Sequence, residues 1–233
     1  APTSNPTATP SPTSNPSATP TPTPSATPIA SAQTIAAVRV LEVGTTVTVV
    51  GVVSGEAGRL GTPPLVAIAD SSGGIVVRIP SGTVAPSRGA LIEVRGPLAA
   101  PYGQLEIRPA AGGVASRGTG VIPSPSSIGP DGLGESTEGR LVAASGRVAG
   151  KPAKSTSGDI TFDLEIVPGG RIRVAADASS GLASSTFVVD GTYRLTGVAG
   201  QRASHKGALD GYRLWLRDAA DVVLVAGPTP TPT

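Results

Sequence analysis

The residues able to do chemistry are few and far apart. His205 is the only histidine, set between Ser204 and Lys206 in a stretch rich in Gly, Ser and Ala. A serine beside a histidine can be a nucleophile with its base, but side chains adjacent in sequence rarely face each other, so this reads as a solvated loop histidine. Cysteine and methionine are absent, which removes thiolate ligands and leaves carboxylates as the main choice for a metal. The closest carboxylate group is Asp159, Asp163 and Glu165. Asp163 and Glu165 stand opposite Arg171 and Arg173 across an expected hairpin, and cross-strand ion pairing accounts for them. The Gly-Gly pairs at 73–74 and 169–170 are turn chemistry rather than phosphate loops. No catalytic residue, metal site or cofactor is expected, and the chain is read as a non-enzyme.

What must position these residues is a set of short strands. The middle of the chain is rich in Val, Ile, Leu and Ala, punctuated by Gly, Pro and Ser, with no long helical periodicity. The first half predicts strands over 46–53, 65–70, 74–80, 90–98 and 104–109. The second half predicts 140–149, 160–165, 171–176, 192–198 and 212–217, with a further strand over 221–226. The two sets align element by element. TVTVVGVVSG matches RLVAASGRVAG, LVAIADSSGGIVVRIP matches FDLEIVPGGRIRVAA, GALIEVRGPL matches GTYRLTGVAG, and GQLEIRP matches GYRLWLRD. Five strands with a connection between the third and fourth is the order of the OB-fold, a Greek-key barrel. The expected fold is therefore all-β: two tandem five-stranded OB-like barrels. The expected division is a tail over 1–28, a first module over 29–112, a linker over 113–128, a second module over 129–226 and a tail over 227–233.

The stretch TIAAVRVLEVGTTVTVVGVVSG, with IADSSGGIVVRIP and GALIEVRGPLAAPYGQLEI, resembles bacterial extracellular OB-fold modules found beside secreted nucleases and lamin-tail domains. The second module, in GRVAGKPAKSTSGDITFDLE and GQRASHKGALDGYRLWLRD, resembles OB modules of large bacterial surface proteins. The resemblance implies fold and an extracellular place, and a capacity to bind nucleic acid or oligosaccharide. It carries no catalytic residue.

OB-folds bind through strands 2 and 3 and the loops joining strands 1–2 and 4–5. In the second module those loops are read as 150–158 and 200–210. They hold all three lysines, Lys151, Lys154 and Lys206, with Arg202 and His205. Strand 5 adds Arg213, Trp215 and Arg217 on one face. These eight residues are the candidate site for an anionic ligand. Against that reading, the chain has only six aromatic residues, and single-strand binders stack successive bases on several.

The tails speak for a different role. Residues 1–28 hold nine of the 24 prolines, repeat with a ten-residue period (PTSNPTATPS, PTSNPSATPT), and contain no charged or aromatic residue. Proline this dense predicts an extended rod. Ser/Thr-rich sequence with proline is the composition of O-glycosylated extracellular stalks, which makes Thr3, Thr7, Thr9, Thr13, Thr19, Thr21 and Thr23 candidate glycan sites. The Asn-Pro-Ser/Thr triplets at Asn5 and Asn15 are poor N-glycosylation sites because proline stands in the middle. The missing initiator methionine predicts a removed signal peptide, and no apolar run reaches the ~18 residues of a membrane span. A net charge of +2 gives no strong steering to polyanions. The favoured reading is an extracellular structural subunit that assembles into a homopolymer through its tail, with either 1–28 or 29–43 docking on a neighbouring copy. The alternative is an OB-fold module for single-stranded nucleic acid or an anionic polysaccharide.

Overall fold

The computed structural model describes residues 32–129, 131–166 and 169–228. The proline-rich segment 1–28 and the seven candidate glycan threonines lie outside the described residues, as do 229–233.

The first module begins with a single helical turn, α1 (Ile35–Val38), capped by the Thr34 hydroxyl, which accepts from the Ala37 N–H. It leads into β1 (Thr46–Gly55), β2 (Leu65–Ala69), β3 (Gly74–Arg78), β4 (Ala90–Ala99) and β5 (Glu106–Ile107). Pairing runs β1–β2–β3–β5–β4 and returns to β1, antiparallel except for the parallel β3–β5 pair. This is a closed five-stranded barrel with OB topology. Val49, Val53, Ile68, Ile75 and Val94 fill it, and Ile35 and Val38 of α1 plug one end. Asp70 ties the plug to the β2–β3 turn by accepting from the N–H groups of Ile35, Ser72 and Gly73 at 2.7–2.8 Å. Burial opposes its charge, but the Ser72 hydroxyl and these N–H groups prevail and hold the carboxyl below its usual range.

After β6 (Val114–Thr119) and β7 (Ser126–Ser127), the pattern repeats in β8 (Leu141–Lys154), β9 (Ile160–Ile166), β10 (Arg171–Ala176), β11 (Thr192–Gln201) and β12 (Tyr212–Leu216), followed by β13 (Val222–Ala226). The register repeats as well. Val53, Ile68 and Ile75 stand side by side across β1–β2–β3, as Val148, Leu164 and Ile172 do across β8–β9–β10. The second barrel has no helical plug. Its end is filled by Phe187 from the β10–β11 connection, packed on Phe162 at 4.4 Å and Tyr193 at 5.8 Å between centroids. The Tyr193 hydroxyl donates to Thr186 O and accepts from the Val188 N–H.

The repeat is longer than five strands. β6 pairs with the first half of β4, and β13 with the first half of β11, so each barrel carries a sixth strand. Each is also preceded by a parallel bridge. Gln33 N–H donates to Thr48 O, and Ile128 N–H donates to Ala143 O. The expected linker over 113–128 is corrected accordingly: β6 belongs to the first barrel and β7 pairs with β8 of the second. The apolar segment 29–43 is corrected too. Its described part bridges β1 through Gln33 and buries Ile35 and Val38 in its own barrel.

The barrels pack tightly on each other. Strands β2 and β3 are buried on both faces, with Leu65, Ala67 and Val76 meeting Leu141, Val198 and Trp215 of the second barrel. Double burial is why LVAIA and the GIVV of β3 are continuous apolar runs, while ITFDLEI in β9 alternates with its outer side half-exposed. Gly74 and Gly139 permit backbone-to-backbone approach: a Cβ on Gly74 would lie 2.1 Å from Gly139 O. Polar bolts surround this seam. Arg88 bridges Glu56 at 2.7 Å and Asp218 at 2.8 Å, and Arg140 donates to Ser72 O. Arg39 reaches Glu138, whose carboxylate is 1% exposed and whose Oε2 has no hydrogen-bond partner among the described residues.

Candidate functional site: an arginine-lined cleft between the barrels

Beside the apolar seam the two barrels diverge, leaving a cleft of about 580 Å³. The first barrel supplies the Leu60–Pro63 turn after β1, Arg78 at the end of β3, Tyr102, and Arg108 just after β5. The second supplies Gln201 at the end of β11, Arg202, and Arg213 and Trp215 from β12. The walls are tied together at the bottom. Gln201 N–H donates to Gln104 Oε1 at 3.0 Å, and Ala203 N–H donates to Tyr102 O at 2.6 Å.

Charge is unbalanced here. Four arginines line the cleft against one carboxylate, Glu106, and Glu106 is already paired with Arg108. Among the described residues Arg78, Arg202 and Arg213 form no salt bridge. Arg213 is the sharpest case. It is half-buried, and its nearest charged neighbours are Arg202 and Arg173, so burial and then those two charges pull its pKa below the usual arginine value. A guanidinium so placed remains charged, and an anion in the cleft would relieve its strain. Arg202 lies 4.8 Å over the Tyr102 ring and Arg213 lies 5.8 Å from the Trp215 ring, both cation–π distances. Tyr102 is 64% exposed and holds φ of 53°, a left-handed conformation rare outside glycine. Gln201 Oε1 is buried beside it with no hydrogen-bond partner among the described residues.

The eight expected site residues separate in space. Arg202, Arg213 and Trp215 share the cleft. His205 and Lys206 line an adjoining depression across Tyr102 and Gln201. Lys151 and Lys154 line neither. The first part of the expected loop over 150–158 is instead a continuation of β8, whose Lys154 pairs with Ile160 of β9, and 155–158 form the turn, so both lysines ride on an exposed hairpin. Arg217 is corrected outright: it is 7% exposed, pairs with Asp221 and donates to Ser54 O across the seam. Trp215 is only partly available, because its ring packs on Gly200 and Gly61 and joins the seam's apolar cluster. Sequence reasoning missed Arg78, Tyr102 and Arg108, which belong to the module without lysines. The doubly apolar β2 and β3 were the available signal that the first barrel meets the second there.

Both constellations singled out in the sequence are tied up in local pairs. The Ser204 hydroxyl contacts His205 Nδ1 at 3.0 Å and donates to Asp210 Oδ2 at 2.7 Å, while Ser204 N–H donates to Asp210 Oδ1. The Ser204 hydroxyl proton is directed to Asp210 rather than to the ring nitrogen. The backbone and hydroxyl of Ser204 hold Asp210 below its usual pKa, so this is a loop clasp. On the outer face of β9 and β10, Arg171 pairs with Glu165 at 2.8 Å and Arg173 with Asp163 at 2.8 Å. Among the described residues no three His, Cys, Asp or Glu side chains gather as a metal site.

No family model matches the chain, and no curated protein matches it. Solved structures similar to this chain include the tetrameric p202 HIN2, at 15% identity and a TM-score of 0.35, covering 79% of this chain and 96% of that one. A deletion mutant of the single-stranded DNA binding protein from Thermus aquaticus is 12% identical with a TM-score of 0.27, over 82% and 98%. The p204 HINb domain is 17% identical with a TM-score of 0.29, over 65% and 78%. The OB assignment rests on the closed strand order given above.

Proposed function

We propose that this is a non-enzymatic, extracellular protein whose inter-barrel cleft holds a segment of an anionic polymer. The observation that carries the reading is the cluster Arg78, Arg202 and Arg213, without carboxylate partners among the described residues and set beside the exposed ring of Tyr102. Repeating negative charge is the recognised chemistry, with single-stranded nucleic acid and acidic polysaccharide as its two sources. The Thr- and Pro-rich tail supports an extracellular place, and glycan on that tail would raise the intact mass above the 22.8 kDa of the bare chain.

Fluorescence anisotropy with labelled oligo-dT and labelled polygalacturonate, each against neutral dextran, tests the reading. One or both anions should bind, and an Arg202→Ala/Arg213→Ala double variant should weaken binding at least tenfold. For a nucleic acid strand the salt slope should fall by about 1.4, at ~0.7 per lost contact. Binding that survives the double change removes the cleft from the function.

A second reading, a structural subunit that self-assembles at a cell surface, is favoured by the last strand. Val223, Leu224 and Val225 of β13 are 46%, 56% and 62% exposed at the end of their sheet. An uncovered apolar edge strand is a template for pairing with another chain.

A further inference from the structure

The free edge of β13 and the proline pattern of the tail answer each other. β13 is Val-Val-Leu-Val-Ala, with no charge, Gly or Pro, and among the described residues it pairs only with β11. Its counterpart in the first barrel, β6, is Val-Ala-Ser-Arg-Gly-Thr, with Arg117 paired to Glu93 at 2.8 Å. Charge on an edge is a usual protection against pairing. The first barrel has that protection and the second does not.

The occupant must supply a row of backbone N–H and C=O groups along one side. Every proline in 1–28 sits at an even position: 2, 6, 10, 12, 16, 20, 22, 24 and 28. All eight threonines of the segment sit at odd positions. In an extended strand, residues of one parity direct their backbone groups to one edge and those of the other parity to the opposite edge. As an extended strand the tail would therefore offer one edge of unobstructed donors, carried by β-branched threonines, and one edge blunted by proline. Proline belongs on an edge strand with its nitrogen turned away from the sheet. The ten-residue repeat is even, so both copies keep the same parity. A rod in polyproline geometry, with three residues per turn, has no use for a strict period of two.

We propose that residues 1–28 of a second copy add to the outer edge of β13 as an extended strand, bonded through their odd-numbered residues, with the prolines closing the far edge. This rests on the self-assembly reading and names its acceptor and donor. β13 spans about 17 Å at ~3.4 Å per residue, so either copy of the ten-residue repeat is long enough. The prolines on the far edge stop lateral growth, and the assembly extends one subunit at a time.

Two variants of the full chain with equal numbers of added prolines separate the possibilities, both made without glycosylation. One carries Thr3→Pro, Thr7→Pro, Thr13→Pro and Ser17→Pro; the other carries Ser4→Pro, Ala8→Pro, Ser14→Pro and Ala18→Pro. Sedimentation velocity and negative-stain microscopy read the outcome. The unaltered chain and the even variant should assemble, and the odd variant should remain a monomer. A third variant, Val223→Lys/Val225→Lys, should also remain a monomer with an unchanged melt. Equal behaviour of the odd and even variants, or assembly by the lysine variant, overturns this docking and leaves self-assembly standing. An unaltered chain that is monomeric at high concentration overturns both.

Discussion

Arg217 of the second barrel donates to the backbone carbonyl of Ser54 in the first at 2.8 Å while pairing with Asp221 through two further bonds. All three residues are buried. One side chain thus closes its own barrel's last turn and bolts it to the neighbour.

Replacing Arg217 by Ala should therefore cost about 3–5 kcal/mol, because it strands the Asp221 carboxylate in the seam. Lysine should not rescue it, since a single ammonium cannot serve both carboxylate oxygens and the Ser54 carbonyl. Urea denaturation is the measurement. A single transition in the parent chain should split into two as the barrels uncouple.

Gly74→Ala should open the seam without unfolding either barrel. The added methyl would overlap the Gly139 backbone, which has no flexible end to move aside. A cost of at least about 1–3 kcal/mol is expected. Limited proteolysis between 120 and 125 should become fast, whereas the near-UV signal of the Phe162, Phe187 and Tyr193 cluster should persist.

The seam should also weaken in acid. Burial opposes the charge of Glu56, but the hydrogen bonds from Arg88, from its own backbone and from Arg59 prevail and lower its pKa from 4.5 to about 2. A carboxyl with a depressed folded value contributes stability that is present above about pH 4.5 and is lost as pH falls toward about 2. Glu138 has the opposite sign: burial raises its pKa, so its contribution is lost as pH rises. Melting temperature against pH should fall between pH 4.5 and 2, and Glu56→Gln should flatten that fall. An unchanged slope would place the acid sensitivity elsewhere.

Arg213→Gln should separate binding from folding. Its charge is opposed by burial and by Arg202 and Arg173, so removing it should leave the melting temperature equal or higher. Anion binding in the cleft should weaken in the same protein. A residue kept for stability alone would show the reverse pattern.

Much was legible in the chain before its folding. Period-two alternation in ITFDLEI, glycine-marked turns and the matched order of two sets of strands determined two similar OB barrels. The cross-strand ion pairs of Asp163 and Glu165 follow from the same local rules. What the tertiary structure alone decided is how the barrels meet. Arg213, Trp215 and Arg217 alternate on one strand and look equivalent in sequence, yet Arg217 is sealed against Ser54, Trp215 is wedged on Gly61, and Arg213 is left facing a cleft. Arg78 and Arg108 join it from more than a hundred residues away. Periodicity reports which side of a strand turns away from its own barrel. It does not report what covers that side, because the cover is a non-local contact between surfaces whose complementarity exists only after both barrels have formed.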